Sequence, residues 1–78
     1  MMPAADEAVL ARRPDDFDAQ HLLGAVLRQQ GDPASAITWI RRALDRRPDV
    51  AAAHNHLGLA LRDLGRLDEA IAAFRDAL

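Results

Sequence analysis

Residues 53–70, AHNHLGLALRDLGRLDEA, carry two glycines seven residues apart in an otherwise helical pattern. A glycine inside a helix costs about 1 kcal/mol relative to alanine, so two of them need a structural reason. The same pair occurs earlier in the chain, because Gly24 and Gly31 have the spacing of Gly58 and Gly65. The stretch is therefore part of an internal repeat, and that repeat decides the predicted fold.

The chain aligns with itself at an offset of 34 residues, so that residues 11–44 match residues 45–78. Identical pairs occur along the whole alignment, among them Arg12/Arg46, Pro14/Pro48, Ala19/Ala53, Leu23/Leu57, Gly24/Gly58, Leu27/Leu61, Gly31/Gly65, Ile37/Ile71, Arg41/Arg75 and Leu44/Leu78. A fixed period of this size is typical of stacked helix pairs. We predict one all-α domain over residues 1–78. It has a leading helix at 4–13, one unit at 15–48 and a second, truncated unit at 49–78.

Each unit is predicted to contain two antiparallel helices joined by a glycine. The expected helix-capping residues are Asp15 or Asp16, Asp32 and Asp49, because a carboxylate accepts hydrogen bonds from the free N–H groups of a first turn. Pro33 suits the first position of a helix, where no N–H is required. Gly31 and Gly65 are expected to end helices in the left-handed conformation.

The other two glycines lie in the middle of helices. We expect Gly24 to face Ala36 and Gly58 to face Ala70, since small residues at these positions let two helices approach closely. Close packing of this kind would offset the loss of helix propensity.

Composition excludes several classes of protein. The 78 residues allow one small domain, and the absence of cysteine rules out disulfides and thiolate metal sites. The net charge of −2 does not favour nucleic acid, which selects a basic face. No apolar run approaches the roughly 20 residues that span a membrane, and no signal-peptide pattern is present. We therefore predict no nucleic-acid or membrane partner and a cytoplasmic location. The arginine and alanine bias suggests a bacterial source.

At the repeated positions the sequence resembles the tetratricopeptide repeat (TPR) family. These positions are Leu23, Gly24, Leu27, Ala36, Ile40, Ala43 and Pro48 in the first unit, and Leu57, Gly58, Leu61, Ala70, Phe74 and Ala77 in the second. The family's frequent early tryptophan is replaced by Gln20 and His54. The segment is also similar to TPR arrays attached to bacterial O-GlcNAc-transferase-like enzymes and to some sulfotransferases, which implies a substrate-positioning role as one alternative.

The resemblance implies an α-solenoid with a right-handed superhelical twist, whose first helices line a concave groove that binds a peptide or a partner protein. The matching groove positions are Asp18, His21, Ala25, Arg28 and Gln29 in the first unit, and Ala52, Asn55, His56, Leu59, Arg62 and Asp63 in the second. Arg28 and Arg62 would suit an acidic or phosphorylated peptide. The alternative is a solvated helix face whose arginine stems cover apolar surface.

Two groove types known in the family fit less well. The clamp that holds a C-terminal carboxylate uses lysine and asparagine, but this chain has no lysine and carries Ala25 and Leu59 at the asparagine positions. The asparagine ladder of the transferase arrays would fall at Leu22 and His56, with Asn55 beside the usual position.

No catalytic motif or cofactor-binding loop occurs in the sequence, so we predict neither enzyme activity nor a cofactor. A metal site is not expected from the histidines, because His54 and His56 are two residues apart and point to different faces of a helix.

The last helix is predicted to leave an apolar end uncovered. Ile71, Phe74 and Leu78 have no helix after them to pack against, and repeat arrays normally end in a polar cap. Two explanations stay open: the chain is a fragment of a longer protein, or it self-associates, for example as a homodimer, through these residues.

Overall fold

The computed structural model describes residues 16–78, which form four α-helices and, within that range, no strand. The helices are α1 (Phe17–Gln29), α2 (Pro33–Arg46), α3 (Ala51–Asp63) and α4 (Leu67–Asp76). The all-α prediction is confirmed. The predicted leading helix at 4–13 lies outside the described residues.

Aspartates cap the first two helices as predicted. Asp16 caps α1, where its Oδ1 accepts a hydrogen bond from the Asp18 N–H at 2.8 Å. Asp32 caps α2 by accepting from the Ser35 N–H at 3.2 Å, and Pro33 occupies the first turn. Each carboxylate satisfies an N–H that has no partner inside its helix.

The third helix begins differently, and the prediction that Asp49 caps it is wrong. The capping position is Val50, which has no side chain able to accept a hydrogen bond. The helix starts one residue later than expected, so the Asp49 carboxylate lies outside the capping position. The preceding turn is held from within α3 instead, since His54 Nε2–H donates to the Pro48 carbonyl at 2.6 Å.

Gly31 and Gly65 end α1 and α3 in the left-handed conformation, with φ of 84° and 77°. In both turns the N–H of the residue after the glycine reaches back to a carbonyl in the last turn of the helix: Asp32 donates to Leu27 and Arg66 to Leu61, each at 2.9 Å. This is the Schellman arrangement, which satisfies carbonyls that the helix leaves free. The predicted role of these two glycines is confirmed.

The helices stack in chain order, because α1 packs on α2, α2 on α3 and α3 on α4. Their shared core is built from large aliphatic side chains interleaved with alanines. Its buried members include Phe17, Leu23, Ala36, Ile37, Ile40, Ala43, Leu44, Ala53, Leu57, Ala60, Leu61, Ala70 and Ala73. Because α2 contacts both α1 and α3, it joins the two repeats. None of the helices within residues 16–78 has the length and apolar character required to cross a membrane.

The two mid-helix glycines make room for large side chains. A Cβ atom on Gly58 would lie 2.5 Å from Cε1 of Phe74. On Gly24 it would overlap Cγ1 of Ile40 and lie 3.2 Å from the carbonyl oxygen of Ala36. One expected partner was therefore wrong, because the atoms nearest Gly58 belong to Phe74 rather than Ala70. Gly24 lies against Ala36 as expected, at the carbonyl oxygen, and also against the Ile40 side chain. Both glycines accommodate the large residue that lies sixteen positions later in the chain.

Candidate functional site

Helices α1 and α3 lie side by side, and two side-chain pairs connect them. His21 Nε2 lies 2.7 Å from His56 Nδ1, and Arg28 Nε lies 2.8 Å from Asp63 Oδ2. In both pairs the partners are 35 residues apart, one more than the repeat offset. The pairs are separated by two helical turns along each helix. We call the surface between and around them the α1–α3 face.

The histidine pair rests on an aromatic side chain at the start of α1. Phe17 is buried, and its ring centroid is 5.5 Å from that of His21. The Arg47 guanidinium carbon lies 5.2 Å from the centroid of the Phe17 ring, within the range of a cation–π contact. The end of α2 and both first helices therefore meet around one cluster.

The two imidazoles share one hydrogen bond when both are neutral, since one ring donates its N–H and the other accepts. Partial burial of His21 lowers its pKa, and the neighbouring His56 lowers it further, while the Asp18 carboxylate acts in the opposite direction. His21 is therefore kept neutral at pH 7.

The second pair is an ion pair at the edge of the same face. The side chains of Arg28 and Asp63 are 26% and 31% exposed. The Arg28 Nε–H does not point at the carboxylate oxygen despite the short distance, so the contact is electrostatic rather than a well-formed hydrogen bond. The adjacent Arg62 is exposed and has no ion-pair partner within residues 16–78. One arginine of the repeated pair is thus neutralised and the other is available.

The structure brings together four of the predicted groove residues, the two cross-repeat pairs. The remaining ones lie on α1 or α3 as exposed or half-buried side chains. Asp18, Gln29, Ala52, Asn55 and Arg62 are exposed, and Ala25 and Leu59 are half-buried. The α1–α3 face is therefore a largely polar surface with two half-buried apolar side chains, Ala25 and Leu59, between its pairs.

Sequence reasoning missed the contact between His21 and His56. It compared His54 with His56, which are close in sequence but lie on different faces of α3. The available signal was the separation of 35 residues, because side chains near one period apart come close where first helices stack side by side. Within residues 16–78 no group of three or more metal-ligating side chains is present.

The second predicted surface is at α4. Ile71 is 50% exposed and Leu78 is fully exposed. Phe74 is half-buried and packs against the core, since its ring fills the space beside Gly58. This end of the domain thus combines two uncovered aliphatic side chains with one anchored aromatic side chain.

Comparisons with known proteins agree with this architecture. Residues 15–78 match the family model described as Tetratricopeptide repeat. A crystal structure of MamA is similar at 29% identity and a TM-score of 0.85, over 94% of this chain and 44% of that one. MamA AMB-1 is similar at 28% identity and a TM-score of 0.83, over 92% and 39%.

MamA MSR-1 is similar at 26% identity and a TM-score of 0.82, over 92% of this chain and 41% of that one. The chain thus spans about two fifths of the length of these solved structures. A comparison with curated protein sequences gives no match.

Proposed function

Because the chain belongs to the tetratricopeptide repeat family, whose members are protein–protein interaction modules, we propose that its α1–α3 face binds an extended peptide or a segment of a partner protein. The observation that carries the proposal is the pairing of α1 with α3 by His21–His56 and Arg28–Asp63. These contacts fix the spacing of α1 and α3. The other side chains on that face are exposed or half-buried. A surface held in this way loses little conformational entropy when a ligand binds.

The charges of the face favour a ligand with an acidic side chain. Asp63 is already compensated by Arg28, whereas the neighbouring Arg62 has no ion-pair partner within the described residues. A carboxylate or phosphate next to Arg62 would form a charge-assisted hydrogen bond. Asn55, two turns earlier on α3, offers both a donor and an acceptor to a peptide backbone.

Selection from a random peptide phage library against the folded chain tests this proposal. We expect the selected peptides to be enriched in Asp and Glu. Their binding, measured by fluorescence anisotropy, should weaken about tenfold or more in Arg62→Glu, since a hydrogen bond to a charged group contributes about 1.5–3 kcal/mol. Asn55→Ala should weaken binding as well.

Arg46→Glu is the matched control, because Arg46 is an exposed arginine on α2, away from the α1–α3 face. It carries the same change of charge and should leave the affinity unchanged. Equal losses in Arg62→Glu and Arg46→Glu would show that only net charge matters. Peptides that bind all three variants as they bind the unaltered chain would refute the proposed groove. Absence of catalytic activity, a cytoplasmic location and a bacterial source stay predictions.

A further inference from the structure

Helix α4 carries an apolar stripe next to the side that packs against α3. The stripe, which we call the α4 stripe, consists of Leu67, Ile71 and Phe74 of α4 and of Leu78, which follows the end of the helix; the spacings are four, three and four residues. Leu67 and Ile71 are 58% and 50% exposed, and Leu78 is fully exposed. The packed side of α4 carries the buried alanines Ala70 and Ala73, and Phe74, at the edge of the stripe, also contacts α3 beside Gly58. The helix therefore has two apolar faces, of which residues 16–78 cover one.

The equivalent positions of the first repeat show what kind of face this is. Ile37 and Leu44 of α2, the counterparts of Ile71 and Leu78, are only 4% and 8% exposed. They are buried because α2 has α3 packed on it. The α4 stripe thus has the composition of a helix–helix contact, and no helix within residues 16–78 covers it.

We propose that the α4 stripe binds the α4 stripe of a second copy of this chain, with the two helices antiparallel. A spacing of alternating three and four residues forms the narrow contact line of two helices crossing at a shallow angle. Antiparallel alignment places Leu67 opposite Leu78 of the second copy and Ile71 opposite Phe74. The contact is symmetric, so it closes at two copies.

The charges beside the stripe favour this orientation. Asp68 follows Leu67 and Arg75 follows Phe74, so both lie on the same flank. Antiparallel pairing brings Asp68 of each copy near Arg75 of the other, whereas in a parallel pair these residues lie on opposite sides of the contact line. Neither residue has an ion-pair partner within residues 16–78, while the adjacent Glu69 is held by Arg66 of its own chain at 2.7 Å.

The dimer is expected to be weak. A ten-residue helix is about 15 Å long, and one pair of such helices buries less than the roughly 1,200–2,000 Å² of a standard interface. We expect a dissociation constant on the order of 100 μM. The inference is independent of the proposed peptide site, since it uses none of the residues of the α1–α3 face.

Sedimentation equilibrium from about 10 μM to about 1 mM covers the range in which such an interface populates. The mass should rise from monomer to dimer and stop there. Ile71→Glu should keep the chain monomeric throughout. Leu22→Glu is the matched control, because Leu22 is an aliphatic side chain with nearly the same exposed fraction, 51%, on α1 rather than α4; it should dimerise like the unaltered chain. Far-UV circular dichroism checks that both variants fold.

A charge exchange tests the orientation. Asp68→Arg and Arg75→Asp should each weaken dimerisation about threefold or more, and the double variant should restore it. A failure to restore would overturn the antiparallel arrangement.

A monomer at all concentrations would mean that the stripe takes a different partner. A mass that keeps growing with concentration would indicate head-to-tail stacking, and a dimer that survives Ile71→Glu would place the contact elsewhere. Each of these three results overturns the proposal.

Discussion

Replacing Gly24 and Gly58 with alanine, one at a time, tests whether the neighbour of each glycine controls the stability of its helix pair. The two glycines occupy equivalent positions of the two repeats. Both substitutions therefore bring the same gain in helix propensity, about 1 kcal/mol. The repeat pattern alone predicts equal effects, whereas the structure predicts unequal ones.

At Gly24 the new Cβ has no room. It would overlap Cγ1 of Ile40 and lie 3.2 Å from the Ala36 carbonyl oxygen. Ile40 has no exposed surface and is branched next to the backbone, so relief requires α1 and α2 to move apart. Overpacking of this kind costs about 1–3 kcal/mol, and the backbone contact places this site in the upper part of that range. After the propensity gain, we expect the free energy of unfolding to fall by about 1–2 kcal/mol.

At Gly58 the new Cβ meets the ring of Phe74, 2.5 Å from Cε1. Phe74 is half-buried, so its ring can turn toward solvent about its side-chain bonds. The cost of this adjustment is close to the propensity gain, and we expect a loss of about 0–1 kcal/mol. Urea unfolding followed by far-UV circular dichroism measures both variants under identical conditions. Equal losses, a larger loss at Gly58, or a gain at both sites would refute the reasoning.

Two further predictions follow from the histidine pair and the helix caps. Because the pKa of His21 is lower in the folded chain than its ordinary value of 6.5, the unfolded chain binds more protons just below that pH. Its contribution to stability is therefore complete above pH 6.5 and declines as the pH falls toward the folded pKa. His21→Gln should flatten the decline in unfolding free energy between pH 7 and pH 5, and an unchanged slope would contradict the assignment. Asp32→Ala should reduce the free energy of unfolding by about 1 kcal/mol because it removes a cap, whereas Asp49→Ala should change it little. Equal losses in urea unfolding would show that Asp49 does act as a cap.

Most of the fold could be predicted because the repeat fixes which residues are equivalent. The offset of 34 residues identified the helix pairs, and Gly31 and Gly65 marked the ends of α1 and α3 with the expected positive φ. Such signals are local and need no knowledge of how the helices pack. The match to the tetratricopeptide repeat family model and the similar structure of MamA agree with that part of the prediction.

The rotation of each helix about its axis was harder to predict. The repeat offset identifies equivalent residues, but it does not show which side chain of one helix contacts which side chain of the next helix. The neighbour of Gly58 was expected to be Ala70 and is Phe74, which lies four residues further along the same helix. The start of α3 also differed from the prediction by one residue. The repeat pattern fits a helix that begins after Asp49 or after Val50, and the structure shows the second.

The contacts of the α1–α3 face were also beyond the pattern. His21 and His56 do not occupy equivalent positions of the two repeats, and neither do Arg28 and Asp63. Equivalent side chains of α1 and α3 point the same way, so the two helices meet through non-equivalent positions, which the alignment of the repeats does not identify. Sequence reasoning could place these residues on first helices but could not pair them.

Because the contacts between α1 and α3 join non-equivalent positions, the two units are not interchangeable. Each cross-repeat contact joins a residue to the position one beyond its own counterpart, so the contact depends on a difference between the units rather than on what they share. If the two units exchanged places, Asn55 would face Leu22 and Arg62 would face Gln29, and both pairs would be lost. The contacts that depend on the order of the two units are therefore made at the few positions where the sequences of the units differ. Substitutions at these positions would remove the cross-repeat contacts while leaving every consensus residue unchanged.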